Sequence, residues 1–339
     1  ALRAKWEKVA EITQIKGDSE THSTISPDDE FADFENYPHY IQRERTEYKP
    51  QRGDFIRGGL KLGLELEQRL GQNPYAFGVI GSTDAHTSVS SAEEDNFHGK
   101  LATDSIPANK QGDWNGDNQG PNGWSMSASG LAAVWAENNS REAILDALER
   151  REVYATTGPR IGVQFYGGAG FTEEILDSAD VHEMARQQGV PMGGELNGPE
   201  APAFLVLATR DPKGANLDRI QIVKGWLDGS GQAQEKVFDV AWSGERSPGP
   251  DGRLPAVGNT VNLRTGQVEN TIGASELSAV WSDPEFDLAQ SAFYYVRVLQ
   301  IPTARHSLLD AIALGMEHAG EHPDTIQERA YTSSIWYRP

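Results

Sequence analysis

The sequence contains no cysteine, and this absence excludes disulfide bonds and thiolate metal ligands. Any bound metal ion must therefore be held by histidine, aspartate or glutamate. A chain without cysteine suits the cytosol and the periplasm equally well, so this feature does not fix the compartment.

Long hydrophobic runs are also missing: no apolar stretch is long enough to span a bilayer, and no signal peptide is recognisable. Basic residues are scarce, with 30 lysines and arginines against 50 acidic residues, and the formal net charge is -20. Nucleic acids and anionic membranes both attract clustered basic side chains, so we expect neither as a partner. A small-molecule substrate, even an anionic one, remains compatible because a bound cation can dominate the local field.

The 339 residues suffice for two domains, and the 35 glycines indicate many tight turns. In the first part, apolar strands alternate with helical patterns and long loops, which predicts an α/β arrangement with parallel strands. Beyond it, short alternating segments separated by turn signals predict an antiparallel, sandwich-like β region with a short C-terminal helix and strand. We therefore expect one domain over residues 1–159 and a second over residues 160–339.

One strand end carries a candidate site. The apolar run Phe77–Ile80 indicates a short buried strand that stops at Gly81, and Asp84 and His86 follow it closely. In parallel α/β folds, sites are built at the C-terminal ends of strands. A carboxylate and an imidazole are an oxygen and a nitrogen ligand for one cation. The alternative is that Asp84 only caps a turn and His86 has no role.

A second strand end repeats this arrangement. Residues 9–15 alternate as a strand does, and Lys16, Glu20 and His22 come directly after it. A helix predicted over residues 54–71 separates this strand from the next, which makes a parallel βαβ unit. Both clusters then fall at the same sheet edge. The alternative is that His22 is a solvated loop residue and Glu20 caps a turn.

Several strings resemble the bacterial DUF3604 family, and the resemblance covers essentially the whole chain. They are QIKGDSETH, GVIGSTDAHT, SSAEEDNFHGK, REVYATTGPRI, FYYVRVLQIPTARHS and ERAYTSSIWY. That family is related to the PHP (polymerase and histidinol phosphatase) superfamily of metal-dependent hydrolases. The resemblance implies the C-terminal part of a distorted PHP-like (β/α) barrel, with metals at the C-terminal strand ends.

By this resemblance, Asp84 and His86 are the last metal-binding motif, and Glu20 and His22 correspond to a middle one. A PHP site also uses a His-x-His pair on its first strand, and this sequence contains none. Members of the family are usually longer at the N-terminus and often carry an export signal. We therefore expect the C-terminal part of a longer, periplasmic or secreted member, whose N-terminal segment supplies the other ligands.

The leading hypothesis is a metal-dependent hydrolase with two or three zinc, manganese or iron ions, and a phosphoesterase is the favoured type. Metal-bound hydroxide would attack the phosphoryl group, and Lys16 or Arg160 would neutralise the developing charge. Arg160 follows a further predicted strand, where it could instead pair with a surface acid. One alternative is a non-catalytic carbohydrate- or peptide-binding module, for which Trp114 and Trp124 would be exposed aromatics. Another is amidohydrolase-type cleavage of a C–N or C–O bond.

Overall fold

The computed structural model describes residues 2–40, 48–112, 121–127 and 130–339. The α-helices within these ranges are α1 (Leu2–Trp6), α2 (Ile56–Leu70), α3 (Pro107–Gln111), α4 (Arg141–Arg150), α5 (Val181–Gln188) and α6 (His306–Ala313). The strands are β1 (Val9–Gln14), β2 (Gly17–Asp18), β3 (Gly78–Gly81), β4 (Leu131–Val134), β5 (Val153–Thr156), β6 (Gly162–Gly168), β7 (Val190–Pro191), β8 (Glu195–Asn197), β9 (Ala203–Thr209), β10 (Leu217–Leu227), β11 (Ala233–Trp242), β12 (Glu276–Ser282), β13 (Ala292–Gln300), β14 (Thr303–Ala304), β15 (Thr325–Ile326), β16 (Arg329–Thr332) and β17 (Ile335–Arg338). None of the helices in this part of the chain combines the length and hydrophobicity of a membrane span.

The first two long strands form the βαβ unit that the sequence predicts. Strands β1 and β3 pair in parallel, with Val9 opposite Gly78 and Ala10 opposite Val79, and α2 connects them. The short strand β2 pairs antiparallel with β1, which gives a three-stranded sheet in the order β2-β1-β3. Because β1 and β3 run in the same direction, the segments that leave their C-terminal ends emerge at one edge.

Helix α2 lies close to its predicted position. It ends where Gly71 adopts a left-handed conformation (φ 71°) and its N–H bonds the carbonyl of Glu67, as glycine caps commonly do. The predicted start at Asp54 is wrong, because the α-helix begins at Ile56. The Asp54 carboxylate instead accepts a hydrogen bond from the Gln51 backbone N–H in a preceding 3₁₀ turn.

An eight-stranded sheet forms the middle of the protein, with the path β11-β10-β13-β16-β5-β4, and with β17 beside β13 and β8 beside β17. Strand β13 is buried on both faces, and its side chains alternate between two apolar clusters. Tyr294 and Val296 join the cluster that packs on the four-stranded sheet β12-β9-β6-β7. Phe293 and Tyr295 join the cluster that contains Leu60 of α2. The eight-stranded and four-stranded sheets thus pack against each other through the first of these clusters.

The sheets confirm a mixed α/β protein, and none of the sheets in the described ranges closes into a barrel. Strands β4 and β5, which precede residue 160, belong to the same sheet as β10, β13 and β16, which follow it. Strands β14 and β15 pair separately in a two-stranded sheet. The division at residues 159 and 160 stays a prediction.

Candidate functional site

The candidate site lies at the shared C-terminal edge of β1 and β3. The two chains stay hydrogen-bonded past the strands, since Ile15 N donates to the carbonyl of Thr83 at 3.3 Å. This contact holds the segment that carries Lys16 beside the segment that carries Asp84. The ends of β1 and β3 thus meet at one edge, where Lys16 Nζ and Asp84 Oδ2 form an ion pair.

Three side chains meet around the carboxylate of Asp84, and we call the four residues together the Asp84 cluster: Lys16, Asp84, His86 and Lys100. Lys16 and Lys100 both pair with Oδ2, and the Lys100 Nζ–Oδ2 distance is 3.0 Å. His86 Nε2 lies 3.4 Å from Oδ1. The imidazole is 60% exposed, whereas the Lys100 side chain is only 10% exposed. The cluster is therefore open to solvent on the histidine side and closed on the lysine side.

The backbone of the Asp84 cluster is held by a left-handed residue and by hydrogen bonds between two loops. Asp84 has φ of +47°, a left-handed conformation that costs a non-glycine residue about 1–3 kcal/mol. Lys100 arrives from a later loop, which is fastened by a hydrogen bond of 2.8 Å from His86 N to the Lys100 carbonyl. A bridge between His86 and Leu101 continues this attachment. Strain at Asp84 that the surrounding structure maintains is typical of functional sites.

The pKa of Lys16 is lower than that of an ordinary lysine. Burial, a hydrogen bond to Lys100 and the charge of Lys100 lower the pKa of Lys16 to about 8, against the opposing charge of Glu11. At neutral pH the Lys16 ammonium is still mostly protonated. The cluster therefore brings two cationic side chains to one carboxylate oxygen, and such a site attracts an additional anion.

Asp84 and His86 are the two side chains of this cluster whose atoms are of the kinds that ligate metal ions. Bonds of about 2.0–2.1 Å in a tetrahedral centre place two ligand atoms about 3.3 Å apart. The separation of 3.4 Å between Asp84 Oδ1 and His86 Nε2 agrees with this value. A cation already touches the same two residues, because Lys100 Nζ lies 3.2 Å from His86 Nε2 and also donates to the Asp84 carbonyl. The ammonium of Lys100 thus contacts both residues, while Lys16 pairs with the same Asp84 oxygen.

Glu20 lies in a different environment from the Asp84 cluster. Its carboxylate is 2% exposed and is held by Arg57 Nη2 at 2.6 Å and Arg297 Nη1 at 2.8 Å. The Tyr295 hydroxyl donates to it at 2.6 Å, and Asp29 shares both arginines. Burial opposes ionisation of Glu20, but the charges of Arg297 and Arg57 outweigh burial and lower its pKa. These contacts describe a buried ion-pair network, in which the oxygens of Glu20 already have partners.

His22 also lies outside the Asp84 cluster. Its Nδ1 lies 2.9 Å from Thr24 Oγ1, and its ring packs near Phe55 with centroids 5.7 Å apart. Among the described residues, no hydrogen bond or ion pair joins Glu20 or His22 to the Asp84 cluster. No group of three or more His, Asp and Glu side chains that could hold a metal ion occurs in those ranges either.

Arg160 borders a separate cavity of about 1000 Å³. Its backbone N–H donates to Asp211 Oδ2 at 2.7 Å, and its Nη1 lies 3.4 Å from Glu93 Oε1. Within the described part of the chain, no hydrogen bond or ion pair links it to the Asp84 cluster. The structure therefore assembles Lys16 but not Arg160 with Asp84 and His86.

The same cavity is lined by two carboxyl groups that the sequence reasoning missed, the half-buried Glu94 and the buried Glu328. Glu94 accepts a hydrogen bond from the backbone N–H of His306, and Glu328 accepts one from the Thr157 hydroxyl. Burial raises the pKa of Glu94 to about 7, with Arg305 opposing the shift. Burial and the charge of Glu94 raise the pKa of Glu328 well above its usual range. The pair therefore retains a proton near neutral pH.

One of the two tryptophans that favour a binding module, Trp124, lies in the interior of the protein. Trp124 is 2% exposed, and its Nε1 donates to Asp310 Oδ2 at 2.9 Å, so the expectation of an exposed indole is wrong. Trp114 lies outside the described residues. Trp124 packs in the interior because its N–H finds a buried carboxylate acceptor, as buried indoles usually require.

The fold and the site define an α/β protein with a charged cluster at the C-terminal ends of parallel strands. A family model described as "Protein of unknown function (DUF3604)" matches residues 1–339, and the chain belongs to this family. Comparison of the chain with curated proteins and with solved structures gave no match.

Proposed function

We propose that the chain is part of a metal-dependent hydrolase that acts on an anionic ester, with a phosphate ester as the favoured substrate. The observation that carries this proposal is the pair of donors, Asp84 Oδ1 and His86 Nε2, 3.4 Å apart at the edge where β1 and β3 end. In this proposal the β1-α2-β3 unit is one βαβ element of a PHP-like barrel. Ligands from a segment outside residues 1–339 complete the metal shell.

Asp84 and His86 would hold the metal ion, which supplies a hydroxide near neutral pH when bound. The backbone of this chain orients the two ligands, since His86 N is fixed to the Lys100 carbonyl and Asp84 is held in its left-handed conformation. Lys16 lies beside the same carboxylate and binds the anionic group of the substrate. Zinc, manganese and iron all accept this oxygen and nitrogen donor set.

The buried partners of Glu20 argue against a direct ligand role for it. Its two oxygens receive hydrogen bonds from Arg57, Arg297 and Tyr295, and a metal ion would have to displace them. We propose instead that Glu20 fixes the loop after β1 against β13. Lys16, four residues earlier, thereby keeps its position at the strand end.

The test measures metal content and hydrolysis in the chain co-expressed with the preceding segment of a longer family member. Wild type, Asp84→Ala and His86→Ala are loaded with Mn²⁺ or Zn²⁺ and assayed on phosphate esters, amides and carboxylic esters. We expect each substitution to remove bound metal and to abolish a chelator-sensitive phosphatase activity. Unchanged metal content in both variants, or hydrolysis that persists with a chelator, would contradict the proposal. Preferred cleavage of the amides would assign the centre to C–N bonds instead.

A further inference from the structure

The cavity of about 1000 Å³ beside the end of β13 has a volume in the range of small-molecule sites. Its buried polar lining includes Asp211, Gln300 and Glu328, which are 7%, 2% and 2% exposed. Its two basic residues, Arg160 and Lys213, are both exposed. The buried part of the lining is therefore acidic or amide in character, and positive charge is confined to exposed positions.

Two side-chain oxygens in this lining have no hydrogen-bond donor. Gln300 Oε1 and Glu94 Oε1 are both shielded from water, and neither is hydrogen-bonded within the described ranges. The backbone of Gln300 is fixed, because its N–H donates to the Glu328 carbonyl at 2.8 Å. A buried acceptor without a donor is costly, and native structures keep few of them. These two oxygens therefore favour a ligand that brings its own donors into the cavity.

The carboxyl groups of Glu94 and Glu328 accept hydrogen bonds from neutral donors. Glu94 accepts from the backbone N–H of His306, and Glu328 accepts from the Thr157 hydroxyl. The His306 imidazole stays neutral at pH 7, because burial and the charge of Arg305 lower its pKa. Burial raises the pKa of Glu94 and of Glu328, so the pair retains a proton that a bound cation can replace.

The charged groups that face this pair already have other partners. Arg305 faces Glu94, but it forms an ion pair of 2.8 Å with Glu35. Arg329 faces Glu328, but its Nη1 donates to a backbone carbonyl at 3.2 Å. Glu35 adds negative charge towards both carboxyl groups. The surroundings of Glu94 and Glu328 therefore favour an additional cation.

The ammonium group of a primary alkylamine matches this lining. It carries one positive charge and three N–H donors, and an alkyl chain can pack on Val268, Ala304 and Leu309, which line the same cavity. Quaternary ammonium ions have no N–H donor and are bound by aromatic cages, and none of the lining residues in the described ranges is aromatic. The exposed Arg160 and Lys213 disfavour a ligand with a second positive charge.

We propose that this cavity is a binding site for a primary alkylamine, whose ammonium group is held by Glu94, Glu328 and Gln300. When the amine binds, one of the two carboxyl groups releases its proton to solvent, and the resulting carboxylate accepts charge-assisted hydrogen bonds from the ammonium. A further N–H of the ammonium supplies the donor that Gln300 Oε1 lacks. The site uses no residue of the Asp84 cluster and does not depend on the proposed metal chemistry.

The first experiment titrates the wild-type chain with three probes that share one alkyl chain: butylamine, butyltrimethylammonium and 1-butanol. Ligand-observed NMR measures their affinities. At about pH 7.5 we expect a Kd of about 1 mM or lower for butylamine, and binding at least roughly tenfold weaker for the other two probes. Equal binding of the three probes, or a Kd for butylamine above about 10 mM, would overturn the proposal.

The second measurement tests the role of the carboxyl pair in the same wild-type chain. The affinity for butylamine should rise at least roughly fivefold between about pH 5.5 and 7.5, because a carboxyl group must lose its proton to hold the ammonium. Calorimetry in two buffers of different ionisation enthalpy should show the release of at least about half a proton per bound amine at about pH 6.5. An affinity that is independent of pH, without proton release, would contradict the assignment.

A pair of variants then locates the site. Glu94→Gln removes the carboxyl group from the cavity, and Glu317→Gln removes an exposed one elsewhere on the surface. We expect Glu94→Gln to weaken butylamine binding at least roughly tenfold at about pH 7.5, and Glu317→Gln to match wild type within about twofold. Full binding by a folded Glu94→Gln protein would refute the site. If Glu94→Gln does not fold, the probe series and the proton release of the wild-type chain decide.

Discussion

Glu20 Oε2 accepts a hydrogen bond of 2.8 Å from Arg297 Nη1, although 277 positions of the chain separate the two residues. Arg297 reaches Glu20 because alternate side chains of β13 face the layer formed by α2 and β1. Arg57 of α2 joins the same carboxylate from the other side. The loop after β1 is therefore fastened to the central sheet by a buried network of paired charges.

Replacing Glu20 with glutamine should destabilise the fold by about 3–5 kcal/mol, because it leaves buried arginine charge without its partner. Urea unfolding followed by circular dichroism measures this loss. Asp28→Asn, at an exposed position eight residues later, should change the free energy of unfolding by less than about 0.5 kcal/mol. A stable Glu20→Gln protein that loses only bound metal would show that Glu20 is a ligand and that the network is dispensable.

The stability of the chain should fall as the pH rises from about 4.5 towards and beyond 7. Burial raises the folded-state pKa of Glu94 from 4.5 to about 7, so the folded state binds a proton over this range that the unfolded state has released. Between pH 4.5 and 7, the free energy of unfolding of Glu94→Gln should therefore fall by less than that of wild type, and the difference should be at most about 3 kcal/mol. Thermal or urea unfolding at half-unit pH steps tests it.

Asp18 should contribute to the same fall in stability with rising pH. Its pKa is raised to about 7, first by burial and then by the charge of Glu20, against Arg329. Asp18→Asn and Glu94→Gln together should therefore give a flatter profile than either change alone. A stability that rises with pH across this interval would contradict both assignments.

Lys16 and Arg160 should behave differently towards anions. Lys16 contacts Asp84, whereas Arg160 borders the cavity that contains Glu94 and Glu328. Lys16→Met should weaken binding of inorganic phosphate to the metal-loaded protein roughly 10–100-fold, since it removes a charge-assisted hydrogen bond. Arg160→Met should change it by less than about twofold. Calorimetry measures both affinities. A larger loss of phosphate affinity in Arg160→Met than in Lys16→Met would show that the anion binds at the cavity instead.

Trp124→Phe should cost about 1–3 kcal/mol, because it removes the indole N–H that bonds Asp310 inside the protein. Lys110 remains on Asp310 at 2.9 Å, so the variant should still fold. Urea unfolding measures the cost. An unchanged stability together with lost binding to a carbohydrate array would instead support an exposed binding role for this residue.

The local parts of the fold are readable from sequence. The apolar alternation of β1 and the glycine cap of α2 involve neighbours within a few residues, and the parallel βαβ order follows from them. Ser140, a residue type common at helix starts, likewise caps α4, since its side chain accepts a hydrogen bond from Ala143 N. The meeting of Lys16 with Asp84 follows from parallel strands that end at one edge.

The remaining features depend on contacts between distant segments. Lys100 enters the Asp84 cluster through loop pairing, and no helix or strand period places it there. The environment of Glu20 depends on Arg297, which the strand pattern of β13 marks only as an interruption in an apolar run. From sequence alone, an acidic residue after a strand, such as Glu20, is therefore interpreted as a metal ligand, because its distant partner Arg297 cannot be identified. Glu94 and Glu328 are likewise joined only in three dimensions.

The central claim is that Asp84 and His86 are two ligands of a metal ion. An anomalous difference map tests it most directly, from crystals of the chain together with the segment that completes the metal shell, soaked in Mn²⁺ or Zn²⁺. The account predicts a peak about 2.1 Å from a carboxylate oxygen of Asp84 and from His86 Nε2. A map of this complex without a peak at that position would contradict it.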